Sequence, residues 1–232
     1  MIDHGLVTYL SQFVTPERLS RMNRVLGERT RYITVMVEDI YQPHNASAVL
    51  RTCDCFGIQN VHIVENRNQY RINPGVELGT AQWLTLRRYR DGDHNTPDAV
   101  QALRSAGYRI VATTPHTDQL EPDTLDLGAG PIALLFGNEP EGLSDTALEL
   151  AEHHLVIPMF GFVESFNISV SAAIILNVLT RRLRASGISY HLSPEERDAL
   201  LLEWLRSSIS RSDALERGFR ERYDTSKQEE KS

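Results

Sequence analysis

Three short segments of this 232-residue chain carry side chains whose types and spacing could do chemistry. The first is P-H-N-A-S-A-V-L-R-T, with Asn45 and Arg51. The second is L-L-F-G-N-E-P-E-G, with Gly137, Glu139 and Gly142. The third is I-P-M-F-G-F-V-E-S-F-N-I-S, with Ile157, Ser165, Phe166 and Asn167. Each lies directly beside an expected strand. A strand, a glycine-bearing loop and a helix start together form a socket in which backbone N–H groups point outward and the local field favours negative charge. Such a socket can hold a cofactor. Taken singly, Asn45 reads as a helix cap, Arg51 as a surface residue, and 137–142 as either a turn or a ligand loop.

Other chemistries lack their residues. The chain has no G-x-G-x-x-G, no G-x-x-x-x-G-K-[ST], no H-E-x-x-H and no G-x-S-x-G. Dinucleotide and P-loop functions are therefore disfavoured, and a generic nucleotide-binding oxidoreductase with them. The histidines show no ligand spacing, so no metal is expected. Cys53 and Cys55 stand two apart, where a disulfide would be strained, and read as reduced cysteines of a cytoplasmic protein. No apolar run approaches the ~18 residues of a membrane span. Asp3 and His4 near the start do not resemble a secretory leader. The net charge of −7 argues weakly against a nucleic-acid partner, but a total does not describe its distribution.

The elements that must position these segments follow from periodicity. Leu6, Tyr9, Leu10 and Phe13 predict an amphipathic helix, and Thr15-Pro-Glu-Arg opens a second that Gly27 ends. From residue 31, short apolar runs alternate with helical patterns. Strands are predicted at 33–37, 61–64, 81–86, 109–112, 132–136 and 155–157. Helices are predicted at 45–56, 97–105, 145–152 and 169–184, and a loop at 67–79. That alternation means a mainly parallel α/β sheet flanked by helices. Ser193-Pro-Glu-Glu is a capping box for a further helix, and Leu215, Phe219 and Tyr223 predict a last one. The organisation is an N-terminal helical extension (1–30), a central domain (31–187) and a C-terminal helical extension (188–232).

Together the three segments resemble the motifs of the SpoU–TrmH branch of the SPOUT RNA methyltransferases, in the family's order, over about residues 31–187. The resemblance implies a parallel α/β fold with a C-terminal deep trefoil knot, an exception to the rule against threaded chains. It implies S-adenosylmethionine as cofactor, held by loops near Thr113, Gly137, Ile157 and Phe166. It implies methyl transfer to a ribose 2′-hydroxyl of RNA, with Arg51, Asn45, Glu139, Ser165 and Asn167 as catalytic candidates. The family assigns the arginine a proton-accepting role; a guanidinium is almost never deprotonated, so a phosphate clamp that also stabilises developing alkoxide is an equally physical role. Where the family often has leucine and lysine, this chain has Phe166 and Pro140. Helical extensions on both sides resemble the family's tRNA enzymes, which methylate the D-loop guanosine (position 18). On that resemblance Arg18, Arg21, Arg24, Arg217 and Arg220 are candidate tRNA contacts, and a homodimer is expected, with no membrane and no metal. The alternatives are a ribosomal-RNA 2′-O-ribose methyltransferase and a non-catalytic RNA-binding paralogue.

Overall fold

The structure, a computed structural model, describes residues 4–71, 79–115 and 120–229, with side chains as far as residue 221. It divides into two compact units, one of residues 30–190 and one made from both chain ends, 1–29 and 191–232.

In the central unit, β1 (Ile33–Glu38), β2 (Asn60–Val64), β3 (Thr85–Tyr89), β4 (Arg109–Thr113), β5 (Ile132–Phe136) and β6 (His153–Leu155) form one sheet in the order β3-β2-β1-β5-β4-β6. All five pairings are parallel. Parallel strands are joined by crossovers that cover both faces, so the central strands are buried on both sides. β1 and β5 are buried at every residue. Their side chains alternate between two cores: Ile33, Val35, Val37, Ile132, Leu134 and Phe136 face one, while Met36, Ala133 and Leu135 face the other. Among the helices, α3 (Pro43–Phe56) and α6 (Ile168–Ala185) supply the first core. The second is closed by α4 (Thr96–Ser105) and α5 (Asp145–Glu149).

At three places in this unit strand pairing outweighs apolarity and moves an element from the sequence expectation. The strand predicted at 81–86 is a 3₁₀ turn, Thr80–Trp83, followed by β3. The apolar signal came from Ala81 and Leu84, which pack on the core, whereas the edge strand itself is polar. The helix predicted to reach 152 ends at Glu149, because Glu152 bonds through its backbone N–H to Ile110 O at 3.0 Å and so starts β6. β6 is therefore 153–155, not 155–157; Val156 already donates to Leu120 O at 2.8 Å. Residues 72–78 of the expected 67–79 loop lie outside the described residues.

The second unit contains α1 (His4–Ser11), α2 (Pro16–Glu28), α7 (Pro194–Ser208) and α8 (Ser212–Glu229). Gly27 does not end α2, which runs one residue further. The Ser193–Glu196 capping box is formed in full. Leu6, Leu10, Met22, Leu26, Trp204 and Leu205 are among its buried apolar residues, and the Tyr9 and Phe219 rings meet at 5.1 Å.

Candidate active site

Because every strand is parallel, all the loops that follow strands emerge on one edge of the sheet. Strand order also reverses between β1 and β5, and open α/β sheets bind ligands at such a switch point, beyond the carboxyl ends of the strands. The loops after β4, β5 and β6 meet there and, with the start of α6, enclose a cavity of about 320 Å³ lined by Thr113, Gly137, Glu139, Ile157, Ser165 and Phe166 among others. All four candidate cofactor residues line it, with two of the five catalytic candidates.

The loop after β5 owes its shape to its glycines. Asn138 and Gly142 exchange backbone hydrogen bonds, both 3.0 Å, and Asn138 Oδ1 accepts the Glu141 N–H at 2.8 Å. A Cβ on Gly137 would stand 2.0 Å from the Gly142 carbonyl, so no larger residue permits this closure. Gly142 has φ +73°, which glycine adopts without strain. The loop ends at Ser144, which caps α5 by accepting the Ala147 N–H at 3.2 Å.

Beneath it lies a residue the sequence reading missed. Glu38, 2% exposed, ends β1. Its carboxylate accepts the Ser144 N–H and Oγ–H, both 2.8 Å, and the Thr96 hydroxyl. It thus fixes the end of the β5 loop and the start of α4. The signal was available: Glu38 is a charge closing an otherwise apolar strand, where burial demands hydrogen-bonded partners.

The three motifs converge on Asn167. It caps α6 by accepting the Ser169 N–H at 2.9 Å and the Ser169 hydroxyl at 2.5 Å through Oδ1. That leaves Nδ2 to donate to Asn45 Oδ1 at 3.1 Å and to Glu139 Oε1. Asn45 is not the helix cap that its type suggested. α3 begins at Pro43, with Gln42 as the cap residue, and the Asn45 side chain is instead buried against Asn167.

Arg51 is not brought to this cluster. It lies six residues along α3 from Asn45, ~9 Å up the axis and roughly 120° around it. It is exposed, and its side chain makes no hydrogen bond or ion pair among the described residues. The arginines proposed for phosphate contact lie in the second unit. Arg21 and Arg24 are exposed on α2, Arg217 and Arg220 on α8, and Arg18 is exposed but donates to Ser208 Oγ at 3.1 Å. Among the described residues no group of three or more metal-ligating side chains is found, and no helix is long and apolar enough to cross a membrane.

A parallel α/β domain with a cavity at its switch point belongs to the class of open α/β folds that bind small ligands beyond the carboxyl ends of their strands. Residues 32–177 match the model of the SpoU rRNA Methylase family, and the chain belongs to that family. It is 39% identical over 207 residues to a tRNA (guanosine(18)-2′-O)-methyltransferase of Borreliella burgdorferi, covering 89% of this chain and 93% of that one. It is 35% identical over 194 residues to the enzyme of the same name from Thermus thermophilus, covering 83% and 97%. Among solved structures, the Aquifex aeolicus TrmH/SpoU tRNA modifying enzyme matches with a TM-score of 0.74 at 30% identity, over 84% of this chain and 98% of that one. The SpoU methyltransferase AviRb of Streptomyces viridochromogenes, in complex with AdoMet, matches with a TM-score of 0.57 at 27% identity, over 69% and 60%.

Proposed function

We propose that this protein transfers a methyl group from S-adenosylmethionine to the ribose 2′-hydroxyl of the guanosine at position 18 in tRNA. The observation that carries this is the convergence of all three family motifs on one cavity edge, through Asn167. The near-full-length similarity to tRNA (guanosine(18)-2′-O)-methyltransferases favours tRNA over ribosomal RNA.

The cavity suits the cofactor. Its volume falls in the range of small-molecule sites, ~300–1,000 Å³. Phe136, Leu155, Ile157 and Ile175 offer apolar walls for an adenine, and among the described residues Glu139, Glu141 and Glu164 line it with no basic side chain, which favours a cationic sulfonium. When bound there, S-adenosylmethionine supplies the reactive methyl carbon and the leaving group. The protein supplies position and charge. Asn167 holds Glu139 beside the cavity, Asn45 holds Asn167, and Ser165 faces the cavity as a further hydrogen-bonding group. Arg51 would clamp the phosphate beside the target ribose and stabilise the developing alkoxide.

Since Arg51 stands apart from the Asn167 cluster of its own chain, the reading includes a homodimer in which one subunit's Arg51 serves the other's cavity. Support comes from the exposed apolar residues Phe160, Phe162, Val163 and Val170, which an isolated chain would leave in water. The reading also includes the family's knot, with α6 as the threaded segment, and a cytoplasmic location, where tRNA is found.

The test is transfer of labelled methyl to total tRNA and to ribosomal RNA, followed by nuclease mapping. Label at the D-loop guanosine is expected; label confined to ribosomal RNA would overturn the tRNA assignment. In the same assay Arg51→Ala should abolish transfer while calorimetry finds cofactor affinity nearly unchanged.

A further inference from the structure

We propose that Tyr41 is a stacking platform for a nucleobase of the RNA substrate, one unstacked from its loop beside the reacting ribose. This rests on the RNA-methyltransferase reading above.

Tyr41 lies in the short link from β1 to α3, at the switch point, four residues before Asn45. Its neighbours on both sides are pinned. Asp39 holds φ +50°, and its Oδ1 accepts the backbone N–H groups of Asn66 at 2.7 Å, Arg67 at 2.9 Å and Asn68 at 3.3 Å. The Asp39 N–H donates to Val64 O at 3.0 Å, and Ile40 is buried in the core. On the other side, Gln42 O accepts the N–H groups of Asn45 at 3.0 Å and Ala46 at 3.2 Å, and Pro43 sets the helix start. Between these anchors the Tyr41 ring is 72% exposed.

A single exposed aromatic is ordinary on a protein surface. Here the other tyrosines with described side chains are all engaged. Tyr32 and Tyr108 donate to the carbonyls of Leu127 and Arg31, Tyr89 pairs with His62, and Tyr9 packs on Phe13 and Phe219. Tyr70 is buried, and Tyr190 packs against the core. Among the tyrosines with described side chains, Tyr41 alone is largely exposed, and it stands between fixed neighbours at the edge where the acceptor must approach.

The chemistry fits single-stranded RNA. Proteins read RNA loops by stacking splayed bases on aromatic rings, which is sequence-tolerant and needs a ring fixed in advance. Immediately beyond Tyr41, His44 and Arg51 stand seven residues apart on the exposed face of α3, so a base on Tyr41 and a backbone phosphate at Arg51 can belong to one strand.

The test compares Tyr41→Ala and Tyr41→Phe with the full-length wild type, using unmodified tRNA transcript. Measurements are steady-state methyl transfer, direct tRNA binding by fluorescence anisotropy, cofactor affinity by calorimetry, and thermal melting. Loss of one base–aromatic stack, ~1–3 kcal/mol, corresponds to a rise of roughly 5- to 150-fold in KM and in the tRNA Kd for the alanine variant. The phenylalanine variant should match wild type, because the ring does the stacking, and cofactor affinity and melting should not move in either. Unchanged tRNA binding in Tyr41→Ala would overturn the proposal. So would a Tyr41→Phe variant as impaired as the alanine, or a loss of melting temperature or cofactor affinity that explains the defect. If the wild type transfers no methyl, the function assigned above fails, and the binding arm still decides the role of Tyr41.

Discussion

The Asn167 side chain donates through one nitrogen to Asn45 Oδ1 at 3.1 Å and to Glu139 Oε1, joining three motifs that lie 122 and 28 residues apart in the chain. Its oxygen is committed to capping α6. The amide therefore has one orientation compatible with its partners, and that orientation aims Glu139.

This makes Asn167→Asp informative. Aspartate keeps the cap, since either carboxylate oxygen accepts the Ser169 N–H. It removes both donated hydrogen bonds and sets a negative charge against Glu139. Melting should shift by only a few degrees, while kcat for methyl transfer should fall roughly 5- to 150-fold, the equivalent of ~1–3 kcal/mol for a polar group left unpaired. Wild-type kcat would mean the cluster is merely structural.

The two loop glycines should differ in kind. Gly137→Ala places a methyl where the Gly142 carbonyl stands, so the loop must open. Cofactor affinity by calorimetry should drop roughly 5- to 150-fold, as the cavity wall moves, given that overpacking of this kind costs ~1–3 kcal/mol. Gly142→Ala meets open space and carries only the cost of its positive φ, ~1 kcal/mol. A larger effect at Gly142 than at Gly137 would show that turn dihedrals, not close approach, shape the loop.

Glu38 should behave as a buried anchor. Glu38→Ala removes the acceptor of the Ser144 N–H and hydroxyl and of the buried Thr96 hydroxyl, and leaves a void where a buried side chain stood. Urea unfolding should give a loss of ~2–4 kcal/mol. Cofactor affinity should weaken as well, because Ser144 ends the loop that carries Glu139. Stability within ~0.5 kcal/mol of wild type, the range of ordinary surface substitutions, would refute this role.

His62 predicts a pH dependence. Burial, and secondarily the Arg87 charge, push its pKa down from 6.5 to about 4, and its Nδ1 lies 2.9 Å from the Tyr89 hydroxyl. Between those values the unfolded chain binds a proton that the folded chain refuses, so stability rises with pH. His62's contribution is complete above about pH 6.5 and is lost as pH falls toward about 4, to a limit of ~3 kcal/mol. His62→Gln should flatten the fall in urea midpoint between pH 7 and pH 4.5; an unchanged slope would assign the acid sensitivity to other groups.

Much of this was legible in the chain. Short apolar runs such as I-A-L-L-F announced buried parallel strands, because only a strand covered on both faces can be apolar at every position. The glycines at 137 and 142 announced a turn or a ligand loop, because the need for a positive φ or a close approach is local. Strand limits at β3 and β6 were not legible, since a polar segment such as T-L-R-R-Y becomes a strand only when a neighbour offers backbone partners in register. Nor did sequence alone reveal that Asn45 would serve Asn167 instead of a helix end, that Glu38 would hold the β5 loop, or that Arg51 would face away from the cluster. Local residue preferences decide caps, turns and burial; which distant side chains share a hydrogen bond is decided by strand order and helix rotation, and these exist only in the folded chain.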